Sequence, residues 1–203
     1  MITKFILFEN ADMWNDFFNK VESGVIQKDP PDKKNISKME KYLPNGGNIL
    51  SVSVGYGNHV EHFIKKGYQV TGTDIANLAI DSMQEKYPEH TWLVHDTEET
   101  FPFDDSSFDG VFARLSLHYF SNQSIDKILY NLSDILKPNG VIFMVKTVNV
   151  GEVQTGKKQF TSDQWISMVS KHFNIVESEI DTRIIYSFEK NPSDVLELIA
   201  LKK

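Results

Sequence analysis

Two glycines, Gly55 and Gly57, follow an apolar ramp ending in Ile49 and Leu50 and stand in the stretch SVSVGYG. Glycines at alternate positions let a backbone turn tightly and pass close to a ligand, and a helix starting behind them offers unpaired N–H groups. Asp74 closes the next apolar run, in TGTDIA, with Ile75 directly after it. A carboxylate at the end of such a run can accept both hydroxyls of a ribose. Loop and acid together describe a site for an adenosine-containing cofactor.

Two cofactors of that kind compete for the spacing. A dinucleotide fingerprint needs glycine or alanine at the last position of its loop. Counted from Gly55, Val60 stands there, and its branched side chain opposes close helix–strand packing. Counted from Ser53, the alternate positions read Ser, Gly, Gly, which is the S-adenosylmethionine spacing with its first glycine replaced. Ser51 and Ser53 therefore belong with Gly55, Tyr56 and Gly57 in one candidate loop, and Tyr56 is placed to cover the ligand or to lie exposed beside it.

Arg114 is the clearest candidate on the acceptor side. A guanidinium closing an apolar strand is costly to bury unless it meets an anion, either a substrate or a structural partner such as Asp96, Asp109 or Glu9. His118 and Tyr119 follow in the same loop and can exchange a proton or donate a hydrogen bond, although a histidine there also packs readily under the next helix. His59, Glu61 and His62 read as a solvated helix face, and no metal site is expected. Lys157 and Lys158 fall on a long loop that either closes over the site or is simply solvated. Trp14, Phe17 and Phe18 read first as core and second as a lid.

These residues need a scaffold. Residues 9–22 have amphipathic helical spacing, QKDPPDKKN is a loop because proline interrupts a helix, and a short helix over 32–43 ends at PNGG. Strand and helix then alternate: strand 49–54, helix 58–66, strand 68–74, helix 75–86, short strand 91–95, strand 108–114, helix 124–137 and strand 141–147. Such alternation implies crossover units and a doubly wound, parallel α/β sheet. Beyond Thr161, an N-cap with Gln164 at the capping-box position, come a helix to 171 and two or three strands, 173–180, 183–188 and 195–201. Strands joined without a helix pair antiparallel, so the sheet ends in a hairpin.

The totals bound the function. The chain has 203 residues, a net charge of −7 and no cysteine. Disulfides, thiolate metal sites and a cysteine nucleophile are excluded, and an acidic chain lacks the basic footprint of a nucleic-acid binder. The apolar start is too short for a signal segment and nothing spans a membrane, so a cytoplasmic protein is expected. Residues 1–203 read as one domain, with 1–44 as an N-terminal helical cap.

Longer stretches sharpen the reading. ILSVSVGYGNHVEHFIKKGYQVTGTDIANLAI resembles motifs I and II of the class I S-adenosylmethionine-dependent methyltransferases. HDTEETFPFDDSSFDGVFARLSLHYF resembles their third motif and fourth strand, and ILKPNGVIFMVKT their entry into the fifth. The likeness covers about residues 45–150, and ARLSLHYF with the N-terminal MWNDFF is nearest the small-molecule branch that includes tellurite-resistance methyltransferases. It implies a seven-stranded, mostly parallel Rossmann-like sheet and methyl transfer to a small molecule. It also sets Gly55 and Gly57 against the cofactor's methionine, Asp74 on its ribose, Asp96 with Thr97 at its adenine and Leu115 at the methionine end. The family has an acid where Ser51 stands and glycine where Ser53 stands. A second reading follows from those departures: a member of the fold that binds the adenosyl group or a partner without turnover. If Ser51 only weakens a standard site, an acid restored there should tighten binding.

Overall fold

A computed structural model describes residues 11–27, 31, 33–147, 161–184 and 192–203. Seven strands form one sheet in the order β3-β2-β1-β4-β5-β7-β6. They are β1 (Asn48–Val52), β2 (Gln69–Asp74), β3 (Thr91–Val94), β4 (Phe108–Arg114), β5 (Leu136–Thr147), β6 (Phe173–Ile184) and β7 (Pro192–Lys202). β1 to β5 run parallel, and β7 inserts antiparallel between β5 and β6. The expected doubly wound sheet with an antiparallel ending is the observed one. Helices α1 (Ala11–Glu22), α2 (Lys33–Glu40), α3 (Val60–Lys65), α4 (Asn77–Lys86), α5 (Asn122–Ile135) and α6 (Ser162–His172) complete it.

Strands buried on both faces must be apolar nearly throughout. Val111, Phe112 and Ala113 of β4 and Val141 to Val145 of β5 are all buried. Alternate residues feed two apolar layers: Leu50, Val52, Val111, Ile142 and Met144 pack with α5 and α6, while Ile49, Phe112, Phe143 and Val145 pack with α2, α3 and α4.

Several boundaries move for physical reasons. β5 begins at Leu136, ahead of the KPNG turn, because Phe108 pairs with Leu136 before the register jumps to Gly110 and Val141. α5 starts at Asn122 because Ser121 caps it, its Oγ accepting the Ser124 N–H at 3.2 Å. The capping box of Thr161 and Gln164 on α6 is present with both bonds formed. Beyond α6, β6 is one strand through Ile184, continuous across the break expected before Arg183. The remainder of the expected 183–188 strand, from residue 185 on, lies outside the described residues, as do Glu9, Lys157 and Lys158. The two helices expected as one cap serve different places: α1 lies against α4, and α2 lies against β5 and reaches the hairpin, where Lys38 pairs with Glu197 at 3.6 Å.

Candidate cofactor and acceptor site

Ligands of open α/β sheets bind beyond the carboxyl ends of the strands where the order reverses, here between β1 and β4. A cavity of about 480 Å³ opens at that place. Ser51, Ser53, Gly55 and Tyr56 after β1, Asp74 and Ile75 after β2, Asp96 and Thr97 after β3, and Arg114, Leu115 and Tyr119 after β4 all line it. These eleven residues, all singled out from the sequence, thus converge on one space.

Asp74 anchors the loop as well as facing the cavity. Its carboxylate accepts the Gly55 N–H at 3.0 Å and the Ala76 N–H at 3.0 Å. The side chain is only 6% exposed, and that burial pushes its pKa up to about 6 despite the backbone donors of Ala76, Gly55 and Ile75. The group is thus poised between a protonated form and the ionised form that accepts hydroxyls.

The two glycines divide the work. Gly55 lines the cavity at φ 56°, and a side chain there would meet nothing closer than Phe18 at 3.9 Å, so its need for glycine is one of backbone conformation. Gly57, at φ 72°, does not line the cavity. An added Cβ would run into the Met83 thioether of α4. The structure thus shows for it a place in helix packing, outside the cavity lining.

Of the four described residues with side chains that take the same left-handed backbone, two stand here: Ser53 at φ 54° and Leu115 at φ 54°. They end neighbouring strands and both line the cavity, and a backbone held this way costs on the order of 1–2 kcal/mol per residue. Leu115 is fixed there by its N–H, which donates to the Val145 carbonyl at 2.7 Å.

His118 also stands outside the cavity lining. Its ring lies 4.1 Å from that of Tyr119, and its Nδ1 is buried without a hydrogen-bond partner among the described residues. Burial, with the Lys146 ammonium adding to it, drives the imidazole pKa down to about 3. It stays neutral near pH 7. Asp109, one of the partners considered for Arg114, is committed at the opposite edge of the sheet, where it accepts the Asn48 N–H at 2.8 Å and holds Lys137 at 2.9 Å.

Other residues enter that the sequence did not single out for this place. His59, expected on a solvated face, lines the cavity with its ring 5.3 Å from Phe112, and Asn58 stands beside it. Glu61 and His62 turn away to pair with Lys65 and Glu40, and no metal-binding cluster forms among the described residues. Ser116 lines the cavity with a hydroxyl that has no hydrogen-bond partner among the described residues. An N-terminal position of the helix at 60 was the missed signal for His59, since residues there face the strand ends rather than solvent.

The aromatic residues of α1 form a wall of the cavity. Trp14 packs edge-on against Tyr119 at 5.1 Å, and Phe18 against Tyr56 at 5.0 Å, with Phe17 between them. Only Phe18 of the three is buried; Trp14 and Phe17 are half-buried and line the cavity beside it. Asn15 holds the wall in place. Its amide donates to Asn77 at 2.7 Å and its oxygen accepts the Leu78 N–H at 3.1 Å, which supplies the side-chain cap that α4 lacks in its own chain segment.

The cavity fits S-adenosylmethionine: a buried acid stands where a ribose is read, an orphan hydroxyl at Ser116 waits for a partner, and Asp96 and Thr97 extend the floor beneath β3.

Comparison with known proteins agrees. Residues 50–144 match the family described as "Methyltransferase domain". The uncharacterised methyltransferase sll0829 of Synechocystis is 26% identical over 100 residues, which are 49% of this chain and 47% of that protein. The chain spans about half the length of the curated relatives it matches. Among solved structures, the N-methyltransferase NodS of Bradyrhizobium japonicum, in complex with S-adenosyl-L-homocysteine, superposes with a TM-score of 0.75 at 12% identity, over 95% of this chain and 97% of that one. A TehB-like S-adenosylmethionine-dependent methyltransferase of Corynebacterium glutamicum gives 0.68 at 16% identity, over 95% and 98%. At such identities the likeness is one of fold. Among the described residues, no helix is long and apolar enough to cross a membrane.

Proposed function

We propose that the chain is a class I S-adenosylmethionine-dependent methyltransferase, as the match of residues 50–144 supports, and that it methylates a small molecule held under the aromatic wall of α1. The observation that carries this reading is the wall itself: Trp14, Phe17, Phe18, Tyr56 and Tyr119 share the cavity with Asp74. When bound, the cofactor supplies an electrophilic methyl group on a sulfonium with a good leaving group. The chain has to align an acceptor with it and exclude water.

In this reading Asp74, ionised, accepts the ribose hydroxyls, and Asp96 with Thr97 receives the adenine beyond β3. Leu115 and Ser116 face the reacting end. The rings of α1 give a planar or apolar acceptor a dry surface. Tyr119 and Ser116 of the β4 loop face the cavity with hydroxyls that can exchange a proton, whereas the neutral His118 lies outside the lining. An acceptor that arrives already deprotonated needs no base at all.

Methyl label from S-adenosylmethionine, offered to a cell extract split by size, tests the proposal. Label appearing in compounds below a few kilodaltons is expected. Label confined to protein or nucleic acid would overturn it. The departures at Ser51 and Ser53 support a second reading, binding without turnover. Tight binding of S-adenosylhomocysteine with no label transfer to any fraction would favour it.

A further inference from the structure

Ser116 joins the turn after β4 to the aromatic wall. It is 4% exposed and lines the cavity, and its hydroxyl has no hydrogen-bond partner among the described residues. A hydroxyl kept from water in this way costs on the order of 1–3 kcal/mol, which a ligand group can restore. The backbone fixes where it stands. Leu115 holds the left-handed turn ahead of it, and Ser116 opens a short 3-10 turn, Leu117–Tyr119, in which the Tyr119 N–H donates to the Ser116 carbonyl at 3.2 Å. Residues three apart in such a turn stand on the same side. The Ser116 hydroxyl therefore shares a side with the Tyr119 ring, which also lines the cavity.

The rings next to that hydroxyl do not form a flat slot. Trp14 meets Tyr119 at 81° and Phe17 at 86°, and Phe18 meets Tyr56 at 84°. Parallel rings would sandwich a planar acceptor. Rings crossing near right angles make a corner, which suits a compact, rounded group. Aromatic faces also attract a cation, by about 0.5–2 kcal/mol each. Corner and hydroxyl together match a nitrogen that becomes positively charged: rings for its substituents, an oxygen for its N–H.

We propose that the acceptor is a primary or secondary aliphatic amine, and that Ser116 selects and orients it, its Oγ accepting an N–H of the amine. The proposal deepens the small-molecule reading and rests on it. The amine enters neutral, its extra proton left in the solvent. Its lone pair forms the new N–C bond to the methyl group while the C–S bond breaks and its electron pair stays on sulfur. Positive charge thus passes from sulfur to nitrogen. The N–H held by Ser116 becomes that of an ammonium, and a hydrogen bond with a charged donor is roughly twice as strong as a neutral one. Hydroxyl and rings both bind the charged nitrogen better than the neutral one, so their effect is largest as the bond forms. An oxygen or thiol acceptor attacking as its anion ends neutral and gains from neither.

S-adenosylmethionine with a carbon-13 methyl group, incubated with the protein and the low-mass fraction of a cell extract, tests the substrate class. An amine product keeps an ionisable nitrogen beside the new methyl, so the labelled resonance should move as pH is raised through the amine's titration. A labelled resonance that does not move with pH belongs to a methyl on another kind of atom and overturns the proposal. Absence of label from every small molecule removes the small-molecule reading itself, and this proposal with it. Ser116→Ala, assayed on the amine so recovered, tests the residue. Its kcat/KM should fall about ten- to hundredfold, the loss of one charge-assisted hydrogen bond. Calorimetric affinity for S-adenosylhomocysteine should stay within about twofold, and the melting temperature should not fall, since the hydroxyl has no protein partner to lose among the described residues. Unchanged kcat/KM, or an equal loss of S-adenosylhomocysteine affinity, overturns the role of Ser116. With S-adenosylhomocysteine bound, the wild type should prefer the protonated product amine to the quaternary ammonium made from it, which has no N–H. Ser116→Ala should erase that preference, and a preference that survives the substitution counts against the proposal.

Discussion

At the amino edge of the parallel strands, Asp109 accepts the Asn48 N–H at 2.8 Å and holds the Lys137 ammonium at 2.9 Å, closing the sheet's underside. At the carboxyl edge, Asp74 and Arg114 end their strands in an open cavity. β4 itself carries one charge at each edge, Asp109 and Arg114. The chemistry of the side chains does not distinguish their roles, for both edges hold an acid and a base. What distinguishes them is whether the surrounding chain has brought the two together. At the lower edge the acid and the base meet; at the upper edge Asp74 and Arg114 stand two strands apart on the wall of the cavity.

Variants at the two edges should separate affinity from stability. The largest effect is expected for Asp74→Ala, which removes a charged acceptor from the ligand and should weaken S-adenosylhomocysteine ten- to hundredfold, or about 1.5–3 kcal/mol, by calorimetry. It blurs the contrast between edges, because the same carboxylate ties Gly55 and Ala76, so its melting temperature should fall too. Asp109→Ala sharpens it. Denaturant unfolding should show a loss of about 1–3 kcal/mol as the Asn48 N–H and Lys137 lose their acceptor, with ligand affinity unchanged. A change in affinity there would dissolve the distinction between the edges.

Proton linkage gives the next effect. Asp74 titrates at about 6 in the folded chain, above the usual carboxylate value near 4. The folded form therefore holds the proton more tightly than the unfolded one, and this contribution to stability is lost as pH rises from about 4 through 6. Ligand binding runs the other way, because hydroxyls need the ionised acceptor. Affinity for S-adenosylhomocysteine should fall below pH 6, up to about tenfold per unit, and the slope should vanish in Asp74→Asn. The smallest effect is expected for Ser53→Gly. Relief of the left-handed backbone is partly offset by the greater freedom of the unfolded glycine, so urea unfolding should show a gain below about 1 kcal/mol with affinity kept.

The sheet was legible because its signals are repetitive: apolar strands, helices between them, and turns such as KPNG. So was the site's outline, since Asp74, Gly55 and Arg114 sit at strand ends that the topology alone gathers together. Three things were hidden for definite reasons. Gly57 has its nearest neighbour, Met83, on a helix far along the chain, and spacing cannot report that contact. His118 sits in a loop whose course follows from Leu115, and a positive φ at a leucine leaves no mark in a sequence. His59 looked solvated because helical periodicity describes the middle of a helix better than its first turn.

The contact between Gly57 and Met83 bears on how glycine patterns of this kind are inherited. A side chain at position 57 would have to displace the Met83 thioether of α4 and hold a left-handed backbone, φ 72°, whether or not anything ever bound in the cavity. A descendant that had abandoned the cofactor would still be held to a glycine there by the demands of folding. Asp74, tied to the loop's own N–H groups, would be retained in part for the same reason. In this lineage the outward signature of a nucleotide loop can outlive its ligand, and a record of lost function would be sought instead at Ser116, whose hydroxyl has no hydrogen-bond partner among the described residues.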